Sequence, residues 1–454
     1  MNNMETVVQN VWTKTKVLVK ALIIGGIVLI LQIPTFYVTD LIKEREERQR
    51  EAITEVSSKW AGRQNIAGPI LVIPYQEANA DSTKSRHFAY FLPDQVNINS
   101  KVSPEEKYRG IYKVMLYTSG VNLDGSFNSI STEKLKIAPQ NIIWNEAFVH
   151  LGISDVKGLN DDVRLRWNNQ LLDMSVDGSG AQALDEGLSA PLNLTGPNDL
   201  KDVRFSADVN VNGSEELLFT PLGKTTNVEM TAKWPHPSFT GDILPAQKNI
   251  SKDSFEAKWK TVSQKRNFPQ QWKDNAFVIR PSFHEATEVS STIASTSGTN
   301  ISNTAFGADL YVPVSGYQKT LRSVKYSFLC ILLTFAAFFL IETSNKKSVH
   351  PFQYGLVGLA LVLFYTLLLS FSEYIGFNFS YAIAAAATIG LIAWFIKGIL
   401  ASSRLTAVLS VILLLIYTYV FTILQLQDYA LLLGSVGLFI TLAVIMHFSR
   451  KIQW

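Results

Sequence analysis

The sequence predicts a membrane protein of the α + β class: one N-terminal transmembrane helix, a large β-rich and mostly antiparallel periplasmic domain, and a C-terminal bundle of five transmembrane helices. Three observations carry this. The 454 residues are 47% hydrophobic and 17% charged, too apolar for an ordinary soluble chain and too charged for a bare membrane bundle. That average is a mixture, because residues 321–454 carry 8 Lys/Arg and 3 Asp/Glu whereas residues 41–320 carry 30 and 33. Six apolar runs are at or near spanning length, and the stretch between the first and second alternates with the period of a strand.

Residues 1–40 hold the first run, Val17 to Val38, 22 residues in which Lys20 is the one charge and Gln32 the one strongly polar uncharged residue. About 20 such residues cross roughly 30 Å of hydrocarbon. The run ends in Ile33-Pro34-Thr35-Phe36-Tyr37, bulky where a cleavage site needs small residues, so it reads as an uncleaved signal anchor. Residues 41–61 continue as a charged juxtamembrane helix. Glu44 with Arg48 and Glu46 with Arg50 stand at i,i+4 in the favourable order, which reads as a solvated helix face. Ile53, Val56 and Trp60 recur at three and four residues, so the far end is expected to pack against the domain that begins near Gly62.

Residues 62–320 switch to period two. Val203, Phe205, Ala207, Val209 and Val211 alternate with Arg204, Ser206, Asp208 and Asn210, and the pattern recurs over Val228–Trp234 and Phe255–Trp259. One wet face per strand predicts antiparallel pairing, and no βαβ unit is visible. A sandwich and a barrel both fit.

Residues 321–454 contain Tyr326–Ile341, Tyr354–Phe371, Phe379–Ile396, Leu405–Leu424 and Tyr429–Phe448, each near spanning length. With six spans, Lys14, Lys16, Lys20, Lys346, Lys347, Lys397, Arg404, Arg450 and Lys451 fall on one face, while the opposite short loops, Ser372–Asn378 and Gln425–Asp428, have no Lys or Arg. The positive-inside rule then puts both termini in the cytoplasm and residues 41–320 across the membrane, in the periplasm of a bacterium with two membranes. Lys319, Arg322 and Lys325 depart from the rule, which long translocated regions largely escape.

Several function classes drop out. Cys330 is the only cysteine, so no disulfide framework exists. The formal charge of residues 41–320 is −3, giving no basic footprint for nucleic acid. The six histidines have no metal-ligand spacing, and no HExxH, G-x-S-x-G or phosphate-loop motif occurs. No catalytic residue, metal or cofactor is expected. The most unusual string is Trp234-Pro235-His236-Pro237-Ser238-Phe239-Thr240-Gly241-Asp242-Ile243-Leu244-Pro245. His236 and Asp242 would be its proton-transfer pair, but the preferred reading is a stiff loop whose Trp234 and Phe239 cap the core. Near the spans, Glu342, His350, Glu373 and His447 are ionisable, and intramembrane ionisable groups are functional candidates by default. All four lie at or near span ends, where interfacial placement is inexpensive, and are read as interfacial residues of a structural bundle.

Five strings resemble the cell-envelope integrity protein CreD family of bacterial inner-membrane proteins: Gly68-Pro69-Ile70-Leu71-Val72-Ile73-Pro74, Arg109-Gly110-Ile111-Tyr112, the Trp234–Asp242 string, Leu333–Phe339, and His350-Pro351-Phe352-Gln353-Tyr354 running on to Ser372-Glu373. The resemblance covers nearly the whole chain. It implies a non-enzymatic role in envelope integrity and in tolerance to colicins and cell-wall antibiotics, and it implies no catalytic residue. Trp234, Pro235, His236, Pro237, Asp242, Glu342, His350, Pro351, Tyr354 and Glu373 are therefore candidate functional or family-characteristic residues. Some relatives are expected to have longer cytoplasmic tails, so no tail-dependent role is carried over. The leading expectation is a non-catalytic scaffold whose partners are the lipid bilayer and other envelope proteins, with self-association left open. The alternative is a transporter or lipid-handling protein using the helix bundle. An enzyme acting through His236 or His284 ranks last, because nothing assembles nucleophile, base and oxyanion donors.

Overall fold

The structure, a computed structural model, describes residues 19–449 apart from 79–83, 129, 177–179, 185, 282–297, 311–315, 346–347 and 427–428. His284 lies outside the described residues, as does the side chain of His447. The chain forms two compact units, Glu51–Pro313 and Met1–Arg50 with Val314–Trp454.

The first unit is built from β1 (Gln64–Ala78), β2 (Lys84–Phe91), β3 (Gln95–Arg109), β4 (Tyr112–Phe127), β5 (Phe148–Ile153), β6 (Arg164–Trp167), β7 (Gln170–Asp173), β8 (Ser175–Val176), β9 (Gly187–Pro191) and β10 (Val203–Ser214). It continues through β11 (Glu216–Thr220), β12 (Thr225–Ala232), β13 (Ser238–Gly241), β14 (Gln247–Ile250), β15 (Phe255–Val262), β16 (Gln271–Lys273), β17 (Phe277–Val278), β18 (Thr299–Asn300) and β19 (Phe306–Asp309). A nine-stranded sheet has the order β13-β19-β11-β1-β5-β9-β8, with β2 added to β1 and β16 to β2; an eight-stranded sheet has the order β14-β15-β12-β3-β4-β10-β6-β7. Pairing is mostly antiparallel, with β1/β11, β3/β12 and β17/β18 parallel.

Both sheets contribute to one core, in which Leu71, Ile73, Val149 and Phe219 of the first meet Val121, Leu123, Val209 and Trp259 of the second. The unit is therefore a sandwich, which settles the choice the alternation left open. The two sheets differ in patterning for a physical reason. In the eight-stranded sheet every second residue faces out, so β12 alternates without a break between buried and half-buried positions. The centre of the nine-stranded sheet is buried on both faces, because a second cluster containing Ile70, Val72, Tyr90, Phe268, Trp272 and Ile279 covers its other side. All six residues of β5 are buried as a result, so it lacks the alternation of a half-buried strand. Inside β1 the register shifts between Ala67 and Ile70. Gly68 stands there at φ +136° with the His150 carbonyl 3.1 Å from where a Cβ would sit, a conformation that favours glycine.

In the other unit, α1 (Val19–Trp60) is a 42-residue helix whose residues up to Arg50 belong to this unit. The pairs Glu44–Arg48 and Glu46–Arg50 form along it, at 2.8 and 3.6 Å. After it come α2 (Gly316–Lys325), α3 (Ser327–Ser344), α4 (Pro351–Ile375), α5 (Phe377–Leu400), α6 (Ser403–Gln425) and α7 (Ala430–Ser449). Among the described residues α1, α3, α4, α5 and α6 are long and apolar enough to cross a membrane, and α7 adds a 20-residue helix that is mostly apolar. Leu22, Phe36 and Trp394 are 67%, 68% and 75% exposed, as side chains facing lipid are. The expected loop Ser372–Asn378 contracts to Gly376, whose φ of +77° separates α4 from α5. Glu373 therefore stands on the last turn of a helix rather than in a connection.

Candidate functional site

The site is built on one face of α1. Ile24, Val28, Leu31, Thr35, Val38 and Ile42 are its buried residues before the charged stretch, at intervals of four and three, the seam spacing of packed helices. Lys20 lies four residues before this stripe and Arg45 three after it, so a cation continues the seam at each end. The two are about 38 Å apart along the helix axis, which exceeds the hydrocarbon thickness. Each meets a glutamate that the sequence singles out.

At the first end, Glu342 closes α3 and is 4% exposed. Its Oε1 pairs with Lys20 Nζ and accepts the Val349 backbone N–H at 2.9 Å, while Oε2 accepts the Tyr354 hydroxyl at 2.7 Å. Lys20 Nζ also donates to the Val349 carbonyl at 2.6 Å. A buried carboxylate is tolerable only when paired and hydrogen-bonded, and both Glu342 oxygens are engaged. Phe335 and Phe338 hold the Tyr354 ring with centroids at 5.5 and 4.7 Å.

The string from His350 to Tyr354 is the device that starts α4. The Phe352 backbone N–H donates to His350 Nδ1 at 3.2 Å, and the His350 N–H donates to Gln353 Oε1 at 3.0 Å. Pro351 occupies the first helical position, where a missing N–H costs nothing. One turn later Tyr354 reaches Glu342. His350 itself is exposed.

At the other end, Glu373 Oε1 accepts the Tyr317 hydroxyl at 3.0 Å and lies 3.8 Å from Arg45 Nε. Helix α1 is thus joined to the bundle at both ends of its seam by a cation and a carboxylate. Midway, Gly358 of α4 lies so close to α1 that a Cβ there would fall 2.1 Å from Leu31 Cδ1.

The Trp234–Pro245 string lies in the β unit, and its middle forms the short strand β13. His236 and Asp242 do not meet as a pair. Trp234 Nε1 donates to the His236 carbonyl at 3.1 Å, and the Asp242 backbone N–H donates to the Ala305 carbonyl at 3.1 Å. Trp234, Phe239 and Ile243 pack against the core. Pro235 and Pro237 flank His236 on either side along the chain.

One cluster was missed by sequence reasoning. Ser85 Oγ lies 2.7 Å from His87 Nε2, and Asp274 Oδ1 lies 3.0 Å from His87 Nδ1. Asp274 Oδ2 also accepts the Tyr75 hydroxyl at 3.2 Å. Ser85 and His87 share a face of β2, but 187 residues separate His87 from Asp274, and no local pattern announces the pairing. Among the described residues no group of three or more His, Cys, Asp or Glu could hold a metal ion.

Comparison with known proteins agrees with this architecture. The family model described as Inner membrane protein CreD matches residues 16–454. The Inner membrane protein CreD of Escherichia coli (strain K12) is 30% identical over 437 residues, covering 94% of this chain and 92% of that protein. With a match of this extent across both the β sandwich and the helices, the chain belongs to the CreD family of inner membrane proteins.

Proposed function

We propose that the protein supports cell-envelope integrity, and tolerance to colicins and cell-wall antibiotics, as a non-catalytic inner-membrane scaffold acting through its β-rich unit. In this reading both termini are cytoplasmic, six helices cross the membrane, and the sandwich lies in the periplasm, where it presents a binding surface to envelope partners. The observation that carries it is the order of the chain: a two-sheet unit of Glu51–Pro313 is preceded by α1 and succeeded by the apolar helices of Val314–Trp454, so it is tethered at both ends. The loop lysines and arginines support the orientation. The ionisable residues flagged near the spans, Glu342 and Glu373, are engaged at helix ends, which favours a structural role over a transport path.

In this reading the Ser85–His87–Asp274 cluster is structural. Ser85 stands on the same strand as its histidine. Its Oγ also lies 3.4 Å from the Glu77 carbonyl of the neighbouring strand, as expected of a network tying β1 and β2 together. Deleting the gene and restoring it in the full-length form tests the proposal. Loss should raise sensitivity to detergent, wall-active antibiotics and colicins, and the restored gene should reverse it; unchanged sensitivity sinks the reading.

A further inference from the structure

The outward face of the eight-stranded sheet is lined by amides. In register across β12, β3, β4 and β10, Asn227 stands opposite Asn97 and Asn97 opposite Asp124; one step along, Asn99 stands opposite Asn122 and Asn122 opposite Asp208. These residues line a cavity of about 480 Å³ and an adjoining one of about 350 Å³, which share Asn99 and Asn122. The sizes fall within the range of small-molecule sites, roughly 300–1,000 Å³. Five strands, from β15 to β10, span about 19 Å at their usual spacing, so the trough suits a chain of several rings rather than one.

Its chemistry narrows the occupant. Asn227 Nδ2 donates to Asn97 Oδ1 at 2.9 Å, Asn97 Nδ2 to Asp124 at 2.8 Å, and Asn122 Nδ2 to Asp208 at 2.6 Å. The pairs fix the amide planes and leave each asparagine a second N–H, since an amide carries two donors and an acceptor with two lone pairs. Asn99 is exposed and has no side-chain partner among the described residues. Charges cancel: the cavities hold Lys101, Lys258 and Lys260 against Asp124, Asp208 and Glu229, with Glu229 already 3.4 Å from Lys258. A neutral surface attracts neither a polyanion nor a basic peptide over distance. The strand residues Ile98, Val121, Val228 and Trp259 of the lining are buried toward the core, so the face lacks the apolar anchors on which protein partners depend.

Gly120 sharpens the fit. It stands mid-strand on β4 in the second cavity, and a Cβ there would meet only Asn210 Oδ1, at 3.4 Å. A strand glycine with open space above it marks a place where a ligand approaches the backbone. We propose that this trough binds an uncharged oligosaccharide chain whose acetamido groups pair with the asparagine amides, one of them seated over Gly120.

The inference rests on the reading of the β unit as a binding module. The test titrates the detergent-purified full chain with the β-1,4-linked N-acetylglucosamine tetramer, using the glucose tetramer as control. Saturable binding of the acetylated tetramer is expected, at least tenfold tighter than the control. Asn99→Ala with Asn122→Ala should weaken it at least tenfold, and Gly120→Leu should abolish the preference, with circular dichroism of each variant matching the parent. Absence of saturable binding at millimolar tetramer, equal binding of the control, or full binding by the folded variants overturns the proposal. A chain that binds no glycan while its deletion still weakens the envelope would leave the scaffold reading standing.

Discussion

His87 Nδ1 lies 3.0 Å from Asp274 Oδ1, while the opposite ring nitrogen faces Ser85 Oγ at 2.7 Å. The order of contacts is that of a hydrolase triad, assembled between a β-hairpin and a short helical turn. A non-catalytic role predicts that a fluorophosphonate probe leaves the full chain unlabelled and that Ser85→Ala retains full complementation of the deletion strain. Labelling abolished by Ser85→Ala would instead establish a reactive serine.

The pair of half-buried Lys20 and buried Glu342 leads to a double-mutant cycle. Lys20→Met leaves a buried carboxylate without its cation and should cost about 3 kcal/mol, the usual penalty for breaking such a pair. Adding Glu342→Gln removes the stranded charge, so the double variant should recover at least half of the loss. Thermal unfolding in detergent measures both, and additive losses would show that the pair carries no coupling.

Gly358 and Leu31 make a steric prediction. Gly358→Ala places a methyl 2.1 Å from Leu31 Cδ1 and should cost about 1–3 kcal/mol through overpacking. Leu31→Ala opens the same space, so Gly358→Ala should cost markedly less on that background. An equal cost on both backgrounds would contradict the packing of the seam.

Asp309 gives the β unit a pH dependence. Burial pushes its carboxyl up to about 6 from 3.8, Glu215 adds to the rise, and Arg63 opposes it. Glu216, its cross-strand neighbour, is raised by burial as well. A raised carboxylate means that the folded state binds the proton more tightly than the unfolded one, so this group destabilises the neutral-pH fold. That penalty is lost as pH falls through about 6 and is gone below 3.8. Asp309→Asn should therefore stabilise the chain at pH 7.5 by about 1 kcal/mol, discounted for partial exposure. The gain should vanish near pH 4 in melting experiments, and a pH-independent gain would assign it to packing.

How much of this was legible in the sequence depends on the range of the interactions. Period-two alternation announced β10, β12 and β15 because one face of the eight-stranded sheet is wet; β5 carried no such signal because both its faces are buried. The choice of a sandwich needed the pairing of β1 with β11, more than 150 residues away, and no local pattern encodes that. Among the candidate residues, Glu342 and Tyr354 stand only 12 positions apart, and the acid's place at a span end was readable. Its cation was not: Lys20 entered the reading only as one of the lysines that set the orientation, because in a run that is apolar all round nothing local marks which residues form the seam. The amide trough was half visible: Asp208 and Asn210 were seen as the polar face of one strand, but the asparagines beside them come from strands more than 80 residues earlier.

The sheet orders have a bearing on how copies of the chain meet. Strands in the interior of the sheets run to 12, 15 and 16 residues, but every path stops on a short one: β13, β14 and β7 have four residues, β16 three and β8 two. Those terminal strands lend few free peptide groups to a neighbouring molecule; the longer open edge is residues 103–109 of β3, which run past the end of the pairing with β12 and bond only to β4. Crowded against one another, such domains can exchange strands chiefly along that one stretch of β3, and elsewhere they meet through faces, where side chains rather than backbone decide the fit.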